Sequence, residues 1–397
     1  MKFSEELGFE VPEGWETKPL DGLAEFHNGF CFSSKDWKKE GLPIIRIQNL
    51  NDVSAPFNYF QGQIEDRYKV SDGDLLFSWS ATIDIFEWNN GEAVLNQHIF
   101  KVVPKKEIYK EFLKHLIKHK LGEINVHGST MKHFKKQELK SNFVPVPPLP
   151  EQKHIAEILS TIDDAIQKSD EIIKGTEKLK RGMMQELLTR GIGHKKFKFS
   201  EELGFEVPEE WEVKTLSKLS DIILGQSPPS IAYNEDGKGT PFLQGNAEFG
   251  DFYPVNKKYT TVCKKLSKEG DILISVRAPV GDLNFSDKEY CIGRGLAAIR
   301  PSDKLSVDFL FYFLKKSKEQ FKRISTGSTF KAVGGSEIRK FKIPVPPLPE
   351  QKRIAEILST IDEKIHLEKE RKQKLERIKD QMMHDLLTGK RRVKVGA

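Results

Sequence analysis

Cysteine is scarce in this chain of 397 residues, with only three present. Cys31, Cys263 and Cys291 are odd in number and share no metal-ligand spacing. Neither a disulfide framework nor a structural zinc site is therefore expected, and the thiols read as free in a reducing cytoplasm. No uninterrupted apolar run approaches the roughly 20 residues of a membrane span. Met1-Lys-Phe-Ser-Glu-Glu-Leu7 is too acidic and too polar for a signal peptide. A dominant charge is missing too: 64 basic against 58 acidic residues leave +6. That permits a polyanionic partner without demanding one.

Catalytic signatures are also lacking. The chain has no Gly-x-x-x-x-Gly-Lys-Ser/Thr phosphate cradle. Ser227-Pro-Pro-Ser230 has neither the carbonyl nor the aromatic that an amino-methyltransferase uses to hold its target amine. Glu16-Thr-Lys18 and Glu212-Val-Lys214 echo half of a nuclease site without an upstream Pro-Asp partner, and read as structural. The histidines form no cluster at metal spacing along the sequence. No metal site and no catalytic residue is expected.

What the chain does have is repetition. Pro145-Val-Pro-Pro-Leu-Pro-Glu-Gln-Lys153 returns as Pro344-Val-Pro-Pro-Leu-Pro-Glu-Gln-Lys352, and between 145–163 and 344–362 only His154 against Arg353 differs. Lys2-Phe-Ser-Glu-Glu-Leu-Gly-Phe-Glu-Val-Pro-Glu13 reappears unchanged as Lys198–Glu209, and Trp15 then matches Trp211. The chain thus runs tag, variable block, long helix, and again tag, variable block, long helix.

Each proline run opens a helix. Pro150 and Pro349 suit its first turn, and the acidic residue that follows favours the positive end of the dipole. Ile155, Ile158, Leu159, Ile162, Ile166, Ile172, Ile173, Leu179, Met183 and Leu187 recur three or four residues apart for the most part, which is one helical face. Gly191 and Gly389 stand where the helices should stop. From Pro150 to Leu188 such a helix is ~58 Å long, a spacer rather than part of one globular core. Its polar middle (Ser169 and Thr176; Lys364, Glu368 and Arg371 in the second copy) is either solvated or faces another subunit. Met183-Met184 and Met382-Met383 are helix core or an adaptable binding surface. If the two helices pack they must run antiparallel, and the chain becomes pseudo-circular. The C-terminal tail is then expected against the Phe3–Trp15 region.

The variable blocks, roughly 20–143 and 217–342, read as mixed α/β. Gly73-Asp-Leu-Leu-Phe-Ser78 and Gly270-Asp-Ile-Leu-Ile-Ser275 each read as a turn followed by a short apolar strand, Leu42–Ile47 and Ala298–Pro301 as strand fragments, and Tyr109 to Lys120 and Val307 to Lys318 as helices. Gly128-Ser-Thr130 and Gly327-Ser-Thr329 occupy equivalent places before the proline runs.

Pro-Leu-Pro-Glu-Gln before a long helix, a Leu-Leu-Thr helix end, and a second divergent block with its own copy resemble the specificity (S) subunit of type I restriction–modification enzymes. The resemblance covers essentially the whole chain. It implies an α+β fold: two target recognition domains, 1–149 and 191–348, two antiparallel coiled-coil-like spacer helices, 150–190 and 349–389, and a basic tail, 390–397, in a pseudo-twofold, pseudo-circular arrangement. It implies sequence-specific binding of double-stranded DNA at a bipartite asymmetric site, and assembly with two modification (methyltransferase) subunits and with restriction subunits. The chain itself would be non-catalytic, directing adenine methylation and ATP-dependent cleavage. S-adenosylmethionine, ATP and Mg²⁺ would belong to the partners. A free-standing bipartite DNA-binding regulator and a structural coiled-coil adaptor are the competing readings.

Candidate contacts divide by chemistry. Ser129, Thr130, Lys132, His133, Lys135 and Lys136, with Ser328, Thr329 and Lys331 in the second block, suit phosphate oxygens; the competing reading is an ordinary solvated turn. Base reading calls for directional side chains near strand ends: Arg46, Gln48, Asn49, Ser80 and Gln97 in block one, and Gln244, Asn246, Arg277 and Arg294 in block two. Arg46 aligns with Gln244, Ser80 with Arg277 and Gln97 with Arg294, unlike side chains in equivalent places, as two different targets require. Surface or sheet-edge polarity is the competing reading for each. Trp15 and Trp211 read as core anchors rather than base-stacking platforms, and Lys390–Lys394 as a solvated charge run with phosphate contact as runner-up.

Overall fold

The computed structural model describes residues 1–52, 54–126, 134, 136–325 and 332–393, without the side chains of 124–126 and 136. They group into two units, Met1–Asp170 with Glu370–Ala397, and Glu171–Lys369. The long helices, Leu149–Arg190 and Leu348–Leu387, each divide between the units near their middles. The end of the chain belongs with its beginning.

In unit 1 the tag is a hairpin of Lys2–Ser4 with Phe9–Val11. Glu16–Pro19 then pairs antiparallel with Phe143–Val146, the strand that leads into the proline run. Trp15 is 5% exposed, and its Nε1 donates to Glu151 Oε2 at 3.0 Å. Gln152 fixes the next contact: its Oε1 accepts from Tyr109 N at 2.8 Å, and its Nε2 donates to Pro147 O and Glu107 O. Pro-Glu-Gln is thus a junction in which Glu holds the tag and Gln holds the start of helix Lys110–Val126. Unit 2 repeats it. Trp211 Nε1 donates to Glu350 Oε2 at 3.1 Å, and Gln351 accepts from Ser306 N at 2.8 Å. The tryptophans are anchors, as expected.

Each carboxylate has a second partner. Arg392 reaches Glu151 with Nη2 at 2.8 Å, and Gly389 packs on Pro12 and Trp15. His194 Nε2 lies 2.8 Å from Glu350, and Gly191 packs on Trp211. Both glycines have positive φ, +79 and +66, the left-handed conformation of a helix stop. The tail therefore does meet the N-terminal tag. The solvated reading of the tail is corrected at Arg392, whose guanidinium is spent on a carboxylate that is 2% exposed.

Each block has two sheets. In unit 1 an antiparallel sheet is ordered Ala24–Asn28, Ile99–Pro104, Leu75–Ser78, Asp84–Glu87. A mixed sheet is ordered Asn58–Phe60, Leu42–Ile45, Ala93–Leu95, Lys69–Val70, with its central pair parallel. Unit 2 has the same antiparallel order, Ser220–Leu224, Leu296–Pro301, Ile272–Ser275, Leu283–Phe285. Its mixed sheet again centres on a parallel pair, Thr240–Leu243 with Tyr290–Ile292. Successive strand residues point to opposite faces. Leu75 and Phe77 enter one core and Leu76 another; Ile272 and Ile274 enter one and Leu273 another. That two-sided burial is why these strands read as continuous apolar runs.

The main core of unit 1 joins Phe112, Leu113 and Leu116 to Ile155 and Leu159 of the first long helix and Leu386 and Leu387 of the second. Each such buried side chain contributes about 1.5–3 kcal/mol. Met383 is buried in this core and Met382 packs beside it; Met183 and Met184 pack on the core of unit 2. The core reading holds for the methionine pairs.

Within unit 1 the two helix segments run antiparallel, Asp163 pairing with Lys379 and Asp170 with Lys372. Within unit 2 Lys369 meets Glu177 at 3.0 Å and Lys180 pairs with Asp362. Of the polar middle, Lys364 and Arg371 are exposed, as a solvated stretch would be, while neighbouring charges pair across the helices. Ser169 is fully buried. Tyr312 Oη donates to Asp362 Oδ2 at 2.9 Å, so the unit 2 pair is itself hydrogen-bonded to the block. His115 faces the corresponding Asp163 in unit 1, with Ser160 Oγ 3.1 Å from its Nε2. Burial pushes its imidazole down to about 4, which keeps it neutral near pH 7. Among the described residues, no helix is long and apolar enough to cross a membrane.

Lys180→Ala removes the cation of a nearly buried pair and leaves the Asp362 charge with the Tyr312 hydroxyl. The expected loss is about 3–5 kcal/mol, measured as a lower denaturant midpoint for unit 2; a loss below about 1 kcal/mol would contradict the pairing described.

Candidate nucleic-acid interface

Parallel pairing of Leu42–Ile45 with Ala93–Leu95 brings the C-terminal ends of both strands to one rim. The backbone knits the turns there. Asn96 N donates to Ile45 O at 3.1 Å, Trp79 N to His98 O at 3.4 Å, and Phe134 N to Trp79 O at 2.8 Å. Asn51 Nδ2 adds a bond to Thr82 Oγ1 at 2.9 Å. Arg46, Gln48, Ser80 and Gln97 all sit on these turns.

Unit 2 builds the same rim with the same bonds. Gly293 N donates to Leu243 O at 2.7 Å, Val276 N to Gly295 O at 2.9 Å, and Val333 N to Val276 O at 2.9 Å. Arg46 therefore matches Gln244, Ser80 matches Arg277 and Gln97 matches Arg294, each pair standing beside equivalent backbone bonds. Close approach of the chain is built in as well. A Cβ on Gly29 would lie 2.2 Å from Asn96 O, and one on Gly225 would lie 2.1 Å from Gly293 O.

The side chains differ in how far they are committed. Arg46 is half-buried, donating from Nη1 to Asn58 Oδ1 at 2.9 Å, with its guanidinium 5.3 Å from the Trp37 ring centre. That contact holds the fork in place instead of leaving it to swing. Gln48 is exposed, with Nε2 3.4 Å from Pro56 O. Ser80 is half-buried, and its carbonyl accepts from Ser78 Oγ at 3.3 Å. Gln97 Nε2 lies 3.3 Å from His98 Nε2, while its Oε1 is buried with no hydrogen-bond partner among the described residues. In unit 2 Gln244, Arg277 and Arg294 are exposed. Asn246 Nδ2 donates to Asp282 Oδ2 at 2.8 Å, at a cleft of about 310 Å³ that Lys315 and Lys318 also line.

Asn49 is a correction. It is 0% exposed, its Oδ1 accepts from Arg46 N at 3.1 Å and its Nδ2 donates to Ala55 O at 3.1 Å. Its amide caps the short helix Ile47–Asn51 and cannot reach a base. Ser129, Thr130, Lys132, His133, Lys135, Ser328, Thr329 and Lys331 lie outside the described residues, as does the side chain of Lys136. Phe134 and Val333, which close those segments, are both anchored on the rims.

Two further side chains beside the rims were not singled out in the sequence: His98, whose ring centre lies 5.3 Å from that of Trp79, and Ser227, whose Oγ accepts from Arg294 N at 3.2 Å. A signal existed for Ser227: Gly225 follows a strand as Gly29 does, which marks the next residues as rim. One His/Glu group among the described residues could hold a metal ion, and none of its members is a rim residue.

Comparison with known proteins gives a consistent picture. The family model described as type I restriction modification DNA specificity domain matches residues 12–176 and 208–377. The provisionally named type I restriction enzyme MjaX specificity subunit of Methanocaldococcus jannaschii is 38% identical, the match covering 98% of this chain and 96% of that protein. The MjaVIII specificity subunit of the same organism is 30% identical over 99% and 96%. A solved type I restriction–modification S subunit from M. genitalium shares the fold, with a TM-score of 0.62 at 17% identity over 98% of each chain.

The rim geometry makes Gly225 and Gly245 opposite cases. Gly225→Ala drives a Cβ into the Gly293 carbonyl and is expected to cost about 1–3 kcal/mol. Gly245→Ala meets nothing within 4 Å among the described residues and should stay within about 0.5 kcal/mol. Equal melting shifts for the two variants would contradict the crossing.

Proposed function

The chain belongs to the family of type I restriction modification DNA specificity domains, and from that premise we propose that the rim of each unit reads one half of a bipartite, asymmetric duplex site. The chain is a DNA sequence-specificity subunit of a type I restriction–modification system. The observation that carries the finer reading is the pairing of unlike side chains on like backbone. Arg46 against Gln244, Ser80 against Arg277 and Gln97 against Arg294 stand beside the same hydrogen bonds in both units. Arginine pairs two-pronged with guanine O6 and N7, and glutamine with adenine N6 and N7. One frame with different readers suits two unrelated half-sites.

Phosphate contacts fall to the hydroxyl and lysine side chains of 128–136 and 327–331. These fix register without reading sequence. The long helices set the number of unread bases between the half-sites; readers of this kind space half-sites by about 34–36 Å per helical turn.

The same helices carry the modification subunits, two per chain. Leu179 and Leu367, each 56% exposed, support such docking, since they leave apolar surface on the helices of unit 2. Restriction subunits join in the full complex. S-adenosylmethionine, ATP and Mg²⁺ act in those partners, this chain supplies specificity without catalysis, and the assembly works in the cytoplasm.

Selection of bound duplexes from a random pool, with the modification subunit present, tests the rim. Arg277→Ala should relax preference at one base position, by about 1–3 kcal/mol for a two-pronged contact, and leave the other half-site unchanged. Uniform weakening across all sequences would reassign Arg277 to phosphate, and relaxation in both half-sites would contradict the division of labour.

A further inference from the structure

In unit 1, helix Lys110–Val126 meets the end of the second long helix at a cleft of about 830 Å³ that Phe9 and Asp380 help to line. His119 and Glu123 stand four residues apart, so they share a helix face. His384 comes from the second long helix, its ring centre 5.9 Å from that of His119. Each of the three offers one ligand atom, and these atoms all lie within 4.8 Å of one another.

His119 Nε2 is buried with no hydrogen-bond partner among the described residues. Glu123 Oε1 lies 3.5 Å away, too poorly aligned to serve. The scaffold does not need the trio. Tyr109 and Ser306 make the same contact to Gln152 and Gln351, so His119 corresponds to Lys316 in unit 2. There the ammonium lies 4.7 Å from the Phe205 ring centre, and Gln185 takes the place of His384.

We infer that His119, Glu123 and His384 form a binding site for a divalent transition-metal ion of the zinc class. Two imidazoles and one carboxylate are a common zinc ligand set that leaves a fourth position open. At metal–ligand distances of about 2.0–2.1 Å the three side chains draw closer together, and the cleft gives the ion its entry. Two cations lie against these side chains: Lys390 Nζ is 2.7 Å from His384 Nε2, and Lys120 Nζ is 3.1 Å from Glu123 Oε2. Lys390 is exposed and displaceable. A bound ion would tie the recognition block of unit 1 to the end of the chain, clipping shut the contact that closes this unit.

The test uses the metal-stripped full chain, titrated with Co²⁺ by visible absorption and with Zn²⁺ by calorimetry. One equivalent should bind, with ligand-field bands and no thiolate charge-transfer band. His119→Gln and His384→Gln should each weaken binding at least tenfold while circular dichroism stays unchanged. Lys390→Ala keeps all three ligands and should bind as tightly as the parent or more so. The assignment is overturned by no stoichiometric binding to the parent chain, by parent-like binding in both glutamine variants, by a thiolate band, or by a loss in Lys390→Ala as large as in His384→Gln.

Discussion

A carboxylate under a buried indole holds each unit together. Glu151 accepts from Trp15 and Glu350 from Trp211, at 3.0 and 3.1 Å. Each carboxylate then takes a second partner from the segment that follows a long helix, Arg392 in one unit and His194 in the other. Tag, helix start and helix exit converge on one acidic group. A buried charge left without its donors is costly, so the three strands of the junction stand or fall together. The adjacent glutamine extends the lock to the helix that closes the block.

From that junction the rest of the unit follows. A fixed entry for the closing helix buries its apolar face on an antiparallel sheet, and the second sheet packs behind the same central strand. One parallel pair in that second sheet delivers two strand ends to a single rim. Backbone hydrogen bonds hold the rim. Its side chains are free to differ because they carry none of those bonds. On the reading proposed above, that separates the frame from the reader.

Much of this was legible in the residues. The two copies of the tag and of the proline run imposed antiparallel order within each unit and closure of the tail on the tag, because a repeat constrains topology wherever it lies in space; the two helices, expected to be equal, differ by two residues. The alignments of Arg46, Ser80 and Gln97 with Gln244, Arg277 and Arg294 came from strand ends and glycines, and the backbone bonds agree with them. The failures share a cause. Asn49 looked like a reader because its type suits adenine, yet a tertiary turn buried it and used its amide on backbone. Lys180 with Asp362, Arg392 with Glu151, and His384 with His119 join residues far apart in sequence. No local pattern announces such pairs, since each depends on helix rotation and on which charge can reach which.

The central claim is that two unlike rims on like frames read two unlike half-sites. The most direct measurement is a map of methylated adenines in DNA from cells that express this chain with its modification subunit. The account predicts one bipartite motif, with two different half-sites on opposite strands separated by a fixed number of unread bases. A single continuous motif, two identical half-sites or no methylation above background would contradict it.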